Sequence, residues 1–456
     1  MIESIKSINP ATEEIIGDFE LDTRYMIEDK IRLVGKDFGD WKNTMPADRS
    51  MYLGNIAGLL RERKQELAKI ITLEMGKPIR ESLGEIEKCA WLSEFFAQNL
   101  ETFLAAEFVD TDAETSGFLY EPMGTILAIM PWNFPFWQAM RAAIPAIAAG
   151  NVVLLKHSSN VPMCALEIEK VFCAAGMPPG IFRTMLISGR EASELIAREE
   201  IKGISFTGST DAGQKVAAEA GRYMKKFVLE LGGSDPFIVL EDADLEKAVE
   251  EGIKSRFRNG GQSCIAAKRF LVAQSIADDF TDMFVDKVEK LKIGDPLDQE
   301  TEMGPLASAE QVGKLQRQVD DTLAMGADIL LEGGPVDGDG FFYKPVVLSN
   351  ITGGAPVLKE ETFGPVAPIV SFSDEREAVE LANSTQFGLG ASVWTGDRDG
   401  AMTLARKIQA GVVTINHKIE SDPRLPFGGF KKSGLGRELY RVGMQEFMQI
   451  KSLKVY

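Results

Sequence analysis

Cys264 stands in Asn259-Gly260-Gly261-Gln262-Ser263-Cys264, a glycine-rich approach to Ile265-Ala266-Ala267-Lys268-Arg269. A thiol at a helix start with basic residues close by has its pKa lowered toward a nucleophilic thiolate. On local sequence Cys264 reads equally as a reactive thiol or as a small buried side chain. Cys89, Cys164 and Cys173 lie in or beside helical runs and read as small buried hydrophobes. Four cysteines without a Cys-x-x-Cys pair make no disulfide framework. The two histidines, His157 and His417, are too few for a His-rich metal site or a Ser-His-Asp triad, so no metal is expected. Glu230 closes the apolar run Lys226–Leu231 and reads as a strand-end carboxylate or as a base.

Phosphate-binding signals are partial. No Gly-x-Gly-x-x-Gly is present, so the usual dinucleotide fingerprint is missing. Gly208-Ser209-Thr210-Asp211-Ala212-Gly213-Gln214-Lys215 approaches a P-loop, but Gln214 is inserted before the lysine and no Ser or Thr follows it. Ile204–Ser209 nevertheless runs from a strand into a helix N-terminus, whose free N–H groups suit a pyrophosphate. An N-cap without a ligand explains the same residues. Lys156 ends Val153-Leu154-Leu155 where a nucleotide's ribose would lie, or is simply a strand-end charge.

These residues need a scaffold. Asp48–Leu104 carries helical periodicity, and Phe108–Tyr120 is polar and β-like, a candidate hairpin leaving the main body. From Thr125 short apolar strands alternate with helices as far as Leu231. A second alternating run extends from Glu241 to Ile415. The pattern predicts an α/β fold with parallel sheets covered on both faces, binding ligands at the carboxyl ends of the strands. Phe447–Tyr456 reads as a strand with no home in either run. With Phe108–Tyr120 it suggests an arm that pairs with another subunit.

At 456 residues the chain suggests two to four domains, and 45% apolar residues give ordinary globular composition. Fifty basic against 68 acidic residues, net −18, disfavour nucleic acid as a partner. The charge-free stretch Pro122–Met140 contains three prolines, an asparagine and a glutamine, unlike a membrane span. Met1-Ile2-Glu3-Ser4 lacks a signal-peptide pattern, and a soluble, cytoplasmic protein is expected.

Pro131-Trp132-Asn133-Phe134-Pro135, Leu229-Glu230-Leu231-Gly232-Gly233-Ser234-Asp235-Pro236, Gly261-Gln262-Ser263-Cys264, Glu361-Thr362-Phe363-Gly364-Pro365, Pro426-Phe427-Gly428-Gly429 and Ser433-Gly434 resemble, in order and spacing, the aldehyde dehydrogenase superfamily. The resemblance spans the whole chain, from Asn9-Pro10-Ala11-Thr12 to the terminal strand, and is strongest to succinate-semialdehyde dehydrogenases. It implies a Rossmann-like cofactor domain without the glycine fingerprint (1–107 and 124–230), an α/β catalytic domain (231–425) and a small β oligomerisation arm (108–123 and 426–456). A homodimer or homotetramer follows from the arm.

The resemblance also implies roles. Cys264 would be the nucleophile, Asn133 with the Cys264 N–H the oxyanion hole, and Glu230 the base that activates water. Acylating relatives lack that glutamate, so its presence favours hydrolysis. Trp132, Asn133, Lys156, Ser159, Gly208, Ser209, Leu231, Glu361 and Phe363 match cofactor-contact positions. Where NAD-preferring members often carry glutamate, this chain has Ser159, a neutral donor near Lys156, so NADP is expected over NAD. Arg141, ten residues after Pro131, and Arg258, six before Cys264, would grip a distal carboxylate, with Ser421 as a further donor. The expected reaction is oxidation of succinate semialdehyde to succinate. A broader aldehyde dehydrogenase is the alternative, and a catalytically silent member of the fold a remote one. Ala266 occupies the position of a second, redox-switching cysteine in several relatives, so that switch cannot operate. The loop 416–422 departs from the pattern of better-known members, and His417 in it reads as a surface residue.

Overall fold

The computed structural model describes residues 4–456. A hairpin of Ser4–Ile8 and Ile15–Glu20 is followed by the helices Arg24–Trp41, Pro46–Glu62, Lys64–Met75 and Ile79–Leu104. Proline begins the second and fits there, because an N1 residue needs no N–H partner. Gly76, in the left-handed region at φ +82°, ends the third.

The first alternating run forms a six-stranded sheet in the order Gly434–Leu435, Lys226–Glu230, Ile201–Thr207, Thr125–Met130, Val152–His157, Phe182–Thr184. All neighbours are parallel except the Gly434–Leu435 edge. Thr125–Met130 and Val152–Leu155 are almost wholly buried, which is why they read as continuous apolar runs rather than alternating ones. The chain leaves Thr125–Met130 toward Val152–His157 on one side and later returns to Ile201–Thr207 on the other. The crevice at their carboxyl ends is a topological switch point, the usual ligand position in such sheets.

The second run builds a seven-stranded sheet in the order Asp328–Leu331, Val346–Ser349, Val366–Phe372, Ala267–Ala273, Asp235–Val239, Gly390–Trp394, Val412–Ile415. It too is parallel apart from its Asp328–Leu331 edge. Phe237, Phe270 and Trp394 pack in its core, with the Phe237 and Trp394 rings stacked at 5.3 Å. Burial of one such ring contributes about 1.5–3 kcal/mol.

Met448–Val455 pairs antiparallel with Thr115–Pro122, which in turn holds the short strand Glu107–Phe108. The arm expected over 426–456 is shorter than that. Phe427 and Glu438 exchange backbone hydrogen bonds, and Gly434–Leu435 joins the six-stranded sheet. The stretch 426–447 therefore folds back over the body, because its glycines allow close approach to Glu230 and the backbone around it. No helix among the described residues is long and apolar enough to cross a membrane.

Candidate active site

Two clefts meet at Cys264. One is lined by Trp132, Asn133, Gly208, Ser209, Leu231, Glu361 and Phe363 together with Gln311 and Lys314. The other is lined by Lys88, Trp137, Arg141, Arg258, Lys418, Ser421 and Phe427, among others. Gln138 lines both.

Cys264 is not at a helix start. A 3-10 turn, Arg258–Gly261, leads through an irregular turn into the strand Ala267–Ala273. Asn259, Gly260 and Gly261 are all left-handed, at φ +54°, +60° and +75°. At Gly261 a Cβ would lie 2.4 Å from the Gly364 carbonyl oxygen, so only glycine fits. The Asn259 side chain donates to the carbonyls of Asn133, at 2.8 Å, and Gln262, at 3.1 Å. The Asn133 amide in turn donates to the Gln262 carbonyl at 3.1 Å. These bonds bring the Asn133 amide to the turn that carries Cys264.

Without a helix terminus beside it, the thiol is not activated at rest. Burial pushes Cys264 up to about 11, against the pull of Arg141 and Lys268. Lys268, read in the sequence only as a basic residue close to Cys264 and its role as an internal tie missed, donates to the carbonyls of Gly233 and Cys264 and to Glu361 Oε1, each at 2.9 Å. Arg256, also missed, binds the carbonyls of Gly261 at 3.1 Å, Thr362 at 3.3 Å and Ala267 at 3.2 Å, besides Gly364. Both sit in sequence as ordinary cations; nothing local marks them as internal ties.

Glu230 is buried, and neither carboxyl oxygen has a hydrogen-bond partner. It lines neither cleft. Burial and the neighbouring Glu438 charge raise it well above the carboxylate range, with Arg141 and Arg437 opposing.

In the first cleft, Trp132 and Phe363 meet edge to face at 5.7 Å. Glu361 Oε1 accepts from Gly233 N at 3.1 Å as well as from Lys268, while Oε2 makes no hydrogen bond. Ser209 both caps the helix Thr210–Arg222, accepting from Ala212 N at 3.3 Å, and faces the cleft. The two readings of that segment thus coexist. Gly208 N is already bonded to the Glu230 carbonyl at 3.0 Å, so it is not a free phosphate donor. Lys156 and the exposed Ser159 lie outside this lining, at the end of the neighbouring strand. Lys156 has no ion-pair partner among the described residues, and burial lowers its pKa. A half-buried cation without an ion-pair partner, three residues before an exposed serine, is compatible with an anionic group at this strand end.

In the second cleft Arg141 forms a buried ion pair with Glu438 and lies 4.9 Å from the Phe427 ring centroid. Arg258 faces Glu420 at 3.8 Å and stands 5.7 Å from the Phe134 ring centroid. Ser421 Oγ accepts from Lys88 Nζ at 2.8 Å. His417 is exposed, its ring bonded to the Lys418 carbonyl, and does not line the cleft. Of the other cysteines, Cys89 and Cys164 are buried as expected, whereas Cys173 is exposed at the end of its helix. Three or more His, Cys, Asp or Glu side chains in a metal-holding arrangement do not occur among the described residues.

Residues 2–453 match the aldehyde dehydrogenase family. This chain belongs to that family. Its relatives include a protein of Synechocystis sp. named as a probable NADP+ succinate-semialdehyde dehydrogenase, 46% identical and covering 99% of both chains. The NAD(P)+ succinate semialdehyde dehydrogenase Sad of Escherichia coli K12 is 44% identical, covering 98% of this chain and 97% of its own. Among solved structures, succinic semialdehyde dehydrogenase of Streptococcus pyogenes in complex with NADP+ superposes with a TM-score of 0.97 at 34% identity, covering 99% of both chains. The aldehyde dehydrogenase fold accounts for the missing glycine fingerprint: the cofactor-side crevice is built from the 131–135, 208–209 and 231–232 loops instead.

Proposed function

We propose that this aldehyde dehydrogenase oxidises succinate semialdehyde to succinate with NADP+. The observation that carries the reading is the placement of Cys264 at the junction of a cleft lined by Trp132, Ser209, Glu361 and Phe363 and a cation-lined pocket. Full-length relatives bearing that activity in their names support it.

Cys264 Sγ adds to the aldehyde carbon, forming a C–S bond as its proton passes to solvent or to a base. The carbonyl oxygen becomes an oxyanion stabilised by the Asn133 amide and the Cys264 N–H. One such donor is worth about 10²–10³ in rate. Trp132, Gly208, Ser209, Leu231, Glu361 and Phe363 would hold the dinucleotide, with Lys156 and Ser159 at its adenosine end. When bound, the nicotinamide supplies the hydride acceptor for conversion of the thiohemiacetal to a thioester. Glu230, once swung toward the thioester, takes a proton from water, whose oxygen attacks the acyl carbon. The C–S bond breaks, and the acid and free Cys264 result. In the buried position desolvation and Glu438 favour the protonated acid, so the step needs the carboxylate that leaving that position restores. Arg141, Arg258 and Ser421 line the pocket that receives the distal carboxylate.

The division into cofactor (1–107, 124–230), catalytic (231–425) and arm segments and a homodimer or homotetramer built through the arm belong to the same proposal, with the arm proper confined to 108–123 and 448–456. A second reading, a less selective aldehyde dehydrogenase, draws on the pairing of both arginines with Glu438 and Glu420.

Initial rates with succinate semialdehyde and hexanal, each with NADP+ and NAD+, separate the two. A kcat/KM favouring succinate semialdehyde with NADP+ by about tenfold or more, about 1.4 kcal/mol, is expected. Equal rates with hexanal leave the chemistry at Cys264 standing and remove the carboxylate clamp.

A further inference from the structure

Five cations line the substrate pocket: Lys88, Arg141, Lys254, Arg258 and Lys418. Four have carboxylate partners. Arg141 pairs with Glu438, Arg258 faces Glu420 at 3.8 Å, Lys254 pairs with Glu251 at 2.8 Å, and Lys418 lies 3.2 Å from both Glu251 and Glu420. Lys88 has none among the described residues. It projects from the long helix Ile79–Leu104, one turn beyond Glu85, but Glu85 is committed elsewhere. Glu85 binds Lys77 and accepts from the backbone N–H groups of Phe136, at 2.9 Å, and Trp137, at 3.0 Å. The Lys88 ammonium instead rests 4.5 Å from the Trp137 ring centroid and donates to Ser421 Oγ.

An ammonium held against protein without a counter-ion is costly, and such groups are normally paired. The missing counter-ion has a natural source in a substrate carboxylate entering this pocket. We propose that Lys88 is the principal cation for the distal carboxylate of the substrate, binding it jointly with Ser421. The inference rests on the reading that the substrate carries that carboxylate. Two of the three ammonium hydrogens remain for the ligand. Because Ser421 Oγ already accepts from Lys88, its own O–H is left to donate to the second carboxylate oxygen. Arg141 and Arg258, each already facing a protein carboxylate, then shape the field rather than neutralise the ligand alone.

Burial, with Arg258 and Arg141 nearby, brings Lys88 down to about 8, while Glu420 opposes the shift. Cys89 on the same helix and Asp422 beside Ser421 also interact with it, and Glu85, Lys254, Lys418 and Cys264 line the same pocket. A bound carboxylate favours the charged ammonium and raises its pKa. Affinity is therefore full below about pH 8 and falls as the free enzyme loses the proton above it.

The test compares wild type, Lys88→Met and Lys88→Arg with succinate semialdehyde and hexanal across about pH 7 to 9.5. Lys88→Met should raise KM for succinate semialdehyde about tenfold or more, keep kcat within about twofold, and change kcat/KM for hexanal several-fold less than that for succinate semialdehyde. Lys88→Arg should recover part of the loss. The wild-type KM for succinate semialdehyde should climb above about pH 8 while that for hexanal stays flat. An equal loss on both aldehydes, or no change on either, overturns the assignment. So does a flat wild-type KM across that range, an outcome that needs no variant to fold. A wild type indifferent to the carboxylate would overturn the proposed function as well. A preference that survives Lys88→Met removes Lys88 alone.

Discussion

Opposed fields act on the Cys264 sulfur: burial favours the thiol, and Arg141 and Lys268 favour the thiolate, with burial prevailing. A thiol raised to about 11 is only a small fraction thiolate at neutral pH, and that fraction grows tenfold per pH unit. Alkylation of Cys264 by iodoacetamide in the enzyme free of cofactor should therefore accelerate about tenfold per unit from about pH 7 to 10. A rate that levels off below about pH 8 would show an already activated thiol and contradict this account. The glycine-rich approach to Cys264 and the Asn133 motif were legible in the sequence because both are local. The activation expected from a helix start was not there, because three left-handed residues turn the chain away from helix before it reaches the sulfur. Lys88 went unread for the converse reason. Lysine on a helix surface normally faces water, and only the packing of the 418–421 loop against that helix turns it into a pocket wall.

Strands and helices of the two alternating runs follow from period and turn chemistry, and their boundaries fall within a few residues of the pattern in the sequence. Val152–His157 and Pro162–Ala174 show it, the second beginning at a proline. What periodicity does not carry is the fastening of one element to another. Arg256, buried at the end of the helix Leu245–Phe257, joins the nucleophile turn to the 361–364 loop through four carbonyls. Removing it strands those carbonyls in a dry interior, at about 1–3 kcal/mol for each left unsatisfied. Arg256→Met should lower the thermal midpoint by several degrees. It should also depress kcat for charged and uncharged aldehydes alike, since Cys264 and Glu361 lose their common support. A calorimetric scan and paired rate measurements check both. An unchanged midpoint would mean that water replaces the guanidinium without cost.

The molecule as a whole ends on an unfinished sheet. Met448–Val455 is hydrogen-bonded to Thr115–Pro122 on one side only. Its exposed residues include Ile450 at 65%, Leu453 at 50% and Val455 at 55%. An eight-residue edge strand that alternates such apolar side chains with Gln449, Lys451, Ser452 and Lys454 presents unpaired backbone groups as a template for pairing. The proposed pairing with a second copy of this chain would cover it with the same chemistry on both sides, as closed symmetry requires. The active site draws none of its lining from this strand, so assembly and chemistry are separable. Deleting residues 448–456 should convert a dimer or tetramer to monomers at micromolar concentration while retaining most of kcat per subunit, as read by light scattering and initial rates. A full-length chain that runs as a monomer would refute the pairing. A deletion that abolishes activity in a folded monomer would instead show that the partner supports the site, through the 426–447 segment that lies between the arm and Glu230.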